Sequence, residues 1–179
     1  MRVSVFIDGN NFYYGLKRIY ENKSLSNFNF EKFCVFLSGE DELVDIFYYN
    51  APLDRMRNFR KYQNQQKFFE KLRKIPKFNL ILCKLLKRRL AGTDKFYYVL
   101  KEDDIHMAVD LVKGAFNDRY DKAIIVSGDG DFVPAVLAAQ ERKKIILNAC
   151  FKKSASTNLK KNCDGLIKLN EEFLEEFLK

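Results

Sequence analysis

Histidine is nearly absent, with His106 alone among 179 residues, and the four cysteines, Cys34, Cys83, Cys150 and Cys163, stand far apart with no CxxC pair. Zinc sites draw on closely spaced Cys and His, so the chain argues against one. The cysteines read instead as reduced, mostly buried thiols, as in a cytoplasmic protein. No apolar run approaches the roughly 18–20 residues of a membrane helix. The first strand begins at Arg2 or Val3, which leaves no room for a signal peptide. The pattern GxxxxGKS/T is missing, which excludes a P-loop enzyme. Gly128-Asp129-Gly130 lacks the third glycine of a dinucleotide fingerprint, and its carboxylates would repel a pyrophosphate without a metal. Repeats, low-complexity linkers and domain boundaries are also missing, so residues 1–179 read as a single domain.

What is present is apolar and basic. Hydrophobic residues make up 47% and aromatics 15% of the chain, enough for a core. The formal net charge is +8, which points to a polyanionic partner such as a nucleic acid, although a generally lysine-rich composition gives the same charge. No membrane partner is expected.

Two stretches organise the chain. Ala123-Ile124-Ile125-Val126 is a buried strand that runs into Ser127-Gly128-Asp129-Gly130-Asp131. A helical pattern follows from Phe132, with Pro134 in its first turn, where a missing N–H does no harm. Val3–Ile7 is a twin strand, followed by Asp8-Gly9-Asn10-Asn11 and a helix from Phe12. In open α/β sheets such loops lie at the carboxyl ends of strands, where ligands bind. If the two strands are neighbours in one parallel sheet, Asp8 and Asp129 lie close, and such a pair resists joint ionisation without a cation between them.

The candidate pocket is Asp8, Asp104, Asp129 and Asp131, which suits Mg²⁺ or Mn²⁺. Asn10 or Asn11 would orient a carboxylate, a water or the scissile phosphate, and Ser127 would hold the loop. Structural readings stand beside these. Asp131 is placed to cap the following helix, Asp104 to complement a helix dipole, and Asn10 or Asn11 to cap the first helix. An aspartyl-phosphate mechanism through Asp8 is disfavoured, because the residue two beyond it is Asn10 and not a second Asp.

Between these stretches, Leu43–Tyr49 reads as a strand and Asp54–Arg73 as a long basic helix whose apolar face is Met56, Phe59, Tyr62, Phe69 and Leu72. Asn79–Leu86 reads as a strand, and Lys95–Leu100 as the second arm of a hairpin. Lys84, Lys87, Arg88 and Arg89 form the densest basic cluster. With Tyr97 and Tyr98 they suit single-stranded nucleic acid, unless those rings pack inward. A helix from Asp103 or Asp104 to Phe116 would bury Ile105, Ala108, Val109 and Val112. Lys144–Ala149 and Leu166–Leu169 read as further strands, Ser154–Lys161 as a short helix capped by Ser154 or Ser156, and Glu171–Lys179 as a terminal helix. Lys152, Lys153, Lys160 and Lys161 offer a second basic strip.

Taken together, these residues resemble the NYN domain, a PIN-like nuclease family, in its LabA-like branch. Phe6-Ile7-Asp8-Gly9-Asn10-Asn11 resembles that family's first motif. Lys101-Glu102-Asp103-Asp104-Ile105, with Ala108-Val109-Asp110, is similar to its Lys-Gly-Val-Asp-Val…Val-Asp segment. Val126–Phe132 matches its third motif, and Ser156-Thr157-Asn158-Leu159 with Cys163-Asp164 resembles its closing pattern. The resemblance implies a Rossmann-like, PIN-type three-layer α/β/α sandwich with a mainly parallel central sheet. It implies a metal-dependent RNase-like site at Asp8, Asp104, Asp129 and Asp131, with Asp110 structural. Glu102 and Asp103 depart from the family's Gly and Val, which leaves the ligand in this motif open. The segment from Asp54 to Leu100 is the least covered by the resemblance and is the place for substrate specificity.

The expected function is a Mg²⁺- or Mn²⁺-dependent ribonuclease acting on single-stranded or structured RNA. The alternative is a non-catalytic RNA-binding regulatory protein with a degenerate pocket; a small-molecule phosphatase is more distant. A homodimer is left open.

Overall fold

In a computed structural model the described residues are 1–20, 25–152 and 156–178. Six strands form one sheet: β1 (Arg2–Asp8), β2 (Glu42–Asn50), β3 (Phe78–Leu82), β6 (Lys122–Val126), β7 (Ile145–Phe151) and β8 (Gly165–Leu169). Their order is β3-β2-β1-β6-β7-β8, and every pairing is parallel. β1 and β6 are near-continuous apolar runs because both sheet faces are covered. A separate antiparallel hairpin pairs β4 (Lys84–Arg89) with β5 (Phe96–Lys101).

One face of the sheet carries α1 (Gly9–Ile19), α2 (Phe30–Ser38), α3 (Phe59–Arg73) and α7 (Glu171–Glu175). Their core is unusually rich in phenylalanine, with Phe12, Phe28, Phe30, Phe33, Phe69 and Phe177 buried beside Val3, Val5 and Ile7. The other face carries α4 (Asp103–Phe116), α5 (Val133–Glu141) and α6 (Thr157–Asn162) over Phe6, Ala123 and Ile125. The chain is thus the expected three-layer α/β/α sandwich, with a central sheet that is wholly parallel.

Several local expectations are corrected. The helix read as Asp54–Arg73 begins only at Phe59, where the Asn58 side chain accepts from the Lys61 N–H at 2.9 Å. Asp54 instead closes a turn by accepting from the Met56 N–H at 2.8 Å. Met56 and Phe59 are therefore exposed, and α3 buries Phe69 and Leu72. The strand read as Asn79–Leu86 breaks at Cys83, where the chain leaves the sheet for the hairpin. α4 buries Met107, Leu111, Gly114 and Ala115 and not the stripe through Ile105 and Val109, both of which are exposed. Ser156 caps α6 through the Leu159 N–H; the alternative cap Ser154 and the basic residue Lys153 lie outside the described residues. No described helix is long and apolar enough to cross a membrane.

Candidate functional site

β1 and β6 are adjacent, and their ends stand in register through Ile7 and Val126. Strand order reverses here, since β2 and β3 lie on one side of β1 and β6 to β8 on the other. Such a switch point opens a crevice beyond the strand ends. Asp8 ends β1 and caps α1, and Gly9 follows because nothing larger fits. A Cβ at Gly9 would meet the Tyr49 carbonyl oxygen at 2.6 Å.

Asp8 is only 8% exposed and both its oxygens are engaged. One accepts from the Asn11 N–H at 2.9 Å, the other from the Ser127 hydroxyl at 2.9 Å. Burial pushes its carboxyl up to about 6, helped by the charges of Asp103 and Asp129. The Ser127 hydroxyl in turn accepts from the Asp129 N–H at 3.1 Å, and the Asn11 side chain accepts from the Gly128 N–H at 3.2 Å. Asn11 therefore clamps both loops at once, while Asn10 is exposed.

Asp129 caps the 3₁₀ turn Gly130–Phe132, accepting from the Asp131 N–H at 2.9 Å. The helix α5 that sequence offered to Asp131 starts instead from Phe132 with no side-chain capping bond, and Asp131 sits exposed in the turn. Asp104 lies in the first turn of α4. Its carboxyl is raised to about 7, chiefly by loss of solvation, then by Asp103, Asp8, Asp129 and Asp131. All four predicted carboxylates therefore share one field. Asp103 joins them: its carboxyl is raised by partial burial and by Asp129. Glu102 pairs with Lys84 at 3.1 Å. Asp110 accepts from the Tyr49 hydroxyl at 3.0 Å, in keeping with a structural role.

Among the described residues, no three His, Cys, Asp or Glu side chains are gathered tightly enough to enclose a metal ion. The donor set nonetheless fits Mg²⁺ or Mn²⁺, whose hard oxygen chemistry needs only one or two carboxylates beside bound waters. The carboxyls of Asp8 and Asp104 are raised first by burial and then by mutual repulsion, and a cation would offset both. A cleft of about 190 Å³ lined by Ser4, Phe6, Asp45, Phe47 and Asp110 lies back along β1, away from this edge.

The sequence reading missed Asn148. It is fully buried in β7, and its amide donates to the Ser127 carbonyl at 2.8 Å and the Ile125 carbonyl at 3.2 Å. A lone polar residue within Ile145-Ile146-Leu147-Asn148-Ala149-Cys150 was the available signal.

The hairpin base adjoins the acids, since β5 ends at Lys101 and α4 begins at Asp103. Buried Cys83 at this junction has its thiol pushed up to about 11 by burial, then by Asp103, Glu102 and Asp104. Of the predicted basic residues, Lys84 pairs with Glu102 and Arg89 with Asp94. Lys87 lies over the Phe96 ring at 4.3 Å, and Arg88 is exposed. Tyr98 is an anchor: its hydroxyl donates to Asp54 at 2.6 Å.

The sequence pattern of the NYN domain family matches residues 2–170. An uncharacterized protein of Methanocaldococcus jannaschii is 39% identical over 70 residues, which are 39% of this chain and 29% of that protein. The matched stretch thus spans less than a third of the archaeal relative. The crystal structure of a protein of unknown function from Vibrio parahaemolyticus is similar with a TM-score of 0.73 at 25% identity, over 97% of this chain and 95% of that one.

Proposed function

The chain belongs to the NYN domain family of PIN-like nucleases, and on that premise we propose that it is a Mg²⁺- or Mn²⁺-dependent ribonuclease. The observation that carries this reading is the convergence of Asp8, Asp104, Asp129 and Asp131 from three segments onto one strand-end crevice. Asp8 is held rigid by Asn11 and Ser127, so its position is set before substrate arrives. Asp129 and Asp131 lie on the adjacent turn, and Asp104 faces them from α4. A divalent ion bound there would supply an acidified water and charge neutralisation at a phosphodiester. Asn10, exposed beside Asp8, is the residue assigned to the scissile phosphate, while Asn11 and Ser127 hold the carboxylates in place. Lys84, Lys87, Arg88 and Arg89 supply the positive field that draws the polyanion to an otherwise negative edge. Their ion pairs with Glu102 and Asp94 are exposed, weak, and readily exchanged for phosphate.

The test is cleavage of an end-labelled RNA with Mn²⁺ or Mg²⁺, with EDTA and Asp129→Asn as controls. Asn remains a good cap for the 3₁₀ turn, so the variant keeps the fold while losing a charge. Metal-dependent cutting that disappears in the variant is expected. RNA binding without cutting, across several RNAs and both metals, would replace this reading with the regulatory one.

A further inference from the structure

We propose that one face of the β4–β5 hairpin, together with the turn before α3, is a preformed track for single-stranded RNA leading to the acidic crevice. This rests on the ribonuclease reading for its occupant and deepens it by naming the strandedness and the residues that select it.

Residues paired across an antiparallel ladder share a face. Lys87 with Tyr98, and Arg89 with Phe96, therefore define one face of the hairpin. Arg88 with Tyr97, and Leu86 with Val99, define the other. The first face is tied to the turn after β2 by the Tyr98–Asp54 hydrogen bond. The hairpin reaches the acids at its base, where β5 ends at Lys101 and α4 begins at Asp103.

Three ring–cation pairs follow one another along it. Arg55 lies 5.2 Å from the Phe59 ring centroid, Arg57 5.0 Å from Tyr98, and Lys87 4.3 Å from Phe96. Phe59 and Phe96 are 49% and 53% exposed, an arrangement that wastes apolar area unless a ligand covers it. Tyr98 shares the hairpin face of Phe96 and is bound to the turn that carries Arg55 and Phe59 through Asp54 and Arg57. Alternating rings and cations match a single strand, whose bases present faces for stacking and whose phosphates need charge. A duplex hides its base faces and gains nothing from the rings. The β4 arm spans about 17 Å at roughly 3.4 Å per residue, the length of about five stacked nucleotides.

The measurement is fluorescence anisotropy of the full chain carrying Asp129→Asn, in EDTA, so that binding is read without turnover. The probe is a labelled 12-nucleotide single-stranded RNA, against the same sequence as a duplex and against vesicles of anionic lipid. We expect the single strand to bind at least tenfold tighter than the duplex. Phe96→Ala and Phe59→Ala should each weaken it, from about fivefold to about 150-fold on the scale of ~1–3 kcal/mol per stacked base. Phe96→Trp should restore binding, which separates stacking from folding. Lys87→Ala should flatten the salt dependence by about 0.7 in the log–log slope. Tyr97→Ala, on the opposite face, should stay within twofold. Equal duplex affinity overturns the proposal, as does equal loss in Tyr97→Ala and Phe96→Ala, or vesicle binding with the same Phe96 dependence. Failure of the metal-dependent chain to cut any RNA would overturn the ribonuclease reading and leave the binding pattern to decide this one.

Discussion

The Ser127 hydroxyl donates to the Asp8 carboxylate at 2.9 Å, tying the ends of two adjacent parallel strands through a buried charge. The bond favours ionised Asp8, but burial outweighs it and leaves the carboxyl at about 6 against an ordinary 3.8. Between these values the folded chain holds a proton that the unfolded chain releases. Ionisation of Asp8 therefore weakens the fold as pH rises through about 4 to 6.

Asp8→Asn should accordingly stabilise the protein at pH 7.5, by roughly 1–3 kcal/mol, since two pKa units are worth about 2.7 kcal/mol. The advantage should shrink toward zero near pH 4, where wild-type Asp8 is protonated. Thermal unfolding of both chains at the two pH values measures this. A variant less stable at both would mean that the one acceptor replaced by an amide NH2 matters more than the buried charge.

A cation would offset that burial cost and the repulsion from the neighbouring acids. Mn²⁺ at a hundredfold excess over its dissociation constant would stabilise the folded chain by about 2.7 kcal/mol. For a chain of this size that is roughly 5–10 °C in melting temperature. The rise should be smaller in Asp104→Asn and Asp129→Asn and should vanish with EDTA. Calorimetry with millimolar Mn²⁺ decides it, and an unmoved wild-type transition would contradict the assignment of these acids to a metal.

The candidate acids stood out in the sequence because they lie just beyond apolar strands or open a helix, and strand ends fix side chains in space. Helix faces were less legible. α4 carries two apolar stripes, one through Met107, Leu111 and Ala115 and one through Ile105 and Val109; period alone does not say which meets the sheet. Met56 and Phe59 misled for another reason: their turn is fixed by Asp54 and Asn58 capping bonds that hydrophobicity does not encode. Asn148 acts on Ser127 from a neighbouring strand, a contact visible only once the strand order is known.

Glu102 gives a further check. It has φ of 76°, a left-handed conformation that costs a side-chain-bearing residue about 1–2 kcal/mol. The family pattern places glycine here, and the backbone supplies the reason. Glu102→Gly removes the strain, loses an exposed pair with Lys84 worth under ~1 kcal/mol, and adds some unfolded-state entropy. The balance should be a small gain, about 0.5 kcal/mol, in urea unfolding. A loss above ~1 kcal/mol would show that the Lys84 pair does more than surface pairs do.

Asn148 holds the crevice without touching substrate. Its amide fixes the Ser127 carbonyl, and the Ser127 hydroxyl fixes Asp8, so Asn148 is a positioning residue two bonds from the carboxylate. Its own Oδ1 is buried without a hydrogen-bond partner among the described residues. Asn148→Leu keeps the branched outline of the side chain, with somewhat bulkier branches, and removes that unsatisfied acceptor, which offsets part of the ~1–3 kcal/mol lost with the two donated bonds. Stability should therefore fall little, while the loop between Ser127 and Asp129 loses its register. A shift of about 1 Å at such a site costs up to roughly a hundredfold in rate. RNA turnover should show kcat down tenfold to a hundredfold with KM nearly unchanged, because the hairpin proposed to collect RNA is untouched. A parallel drop in melting temperature and in kcat would instead make Asn148 an ordinary core residue, and a rise in KM would place its effect on substrate binding.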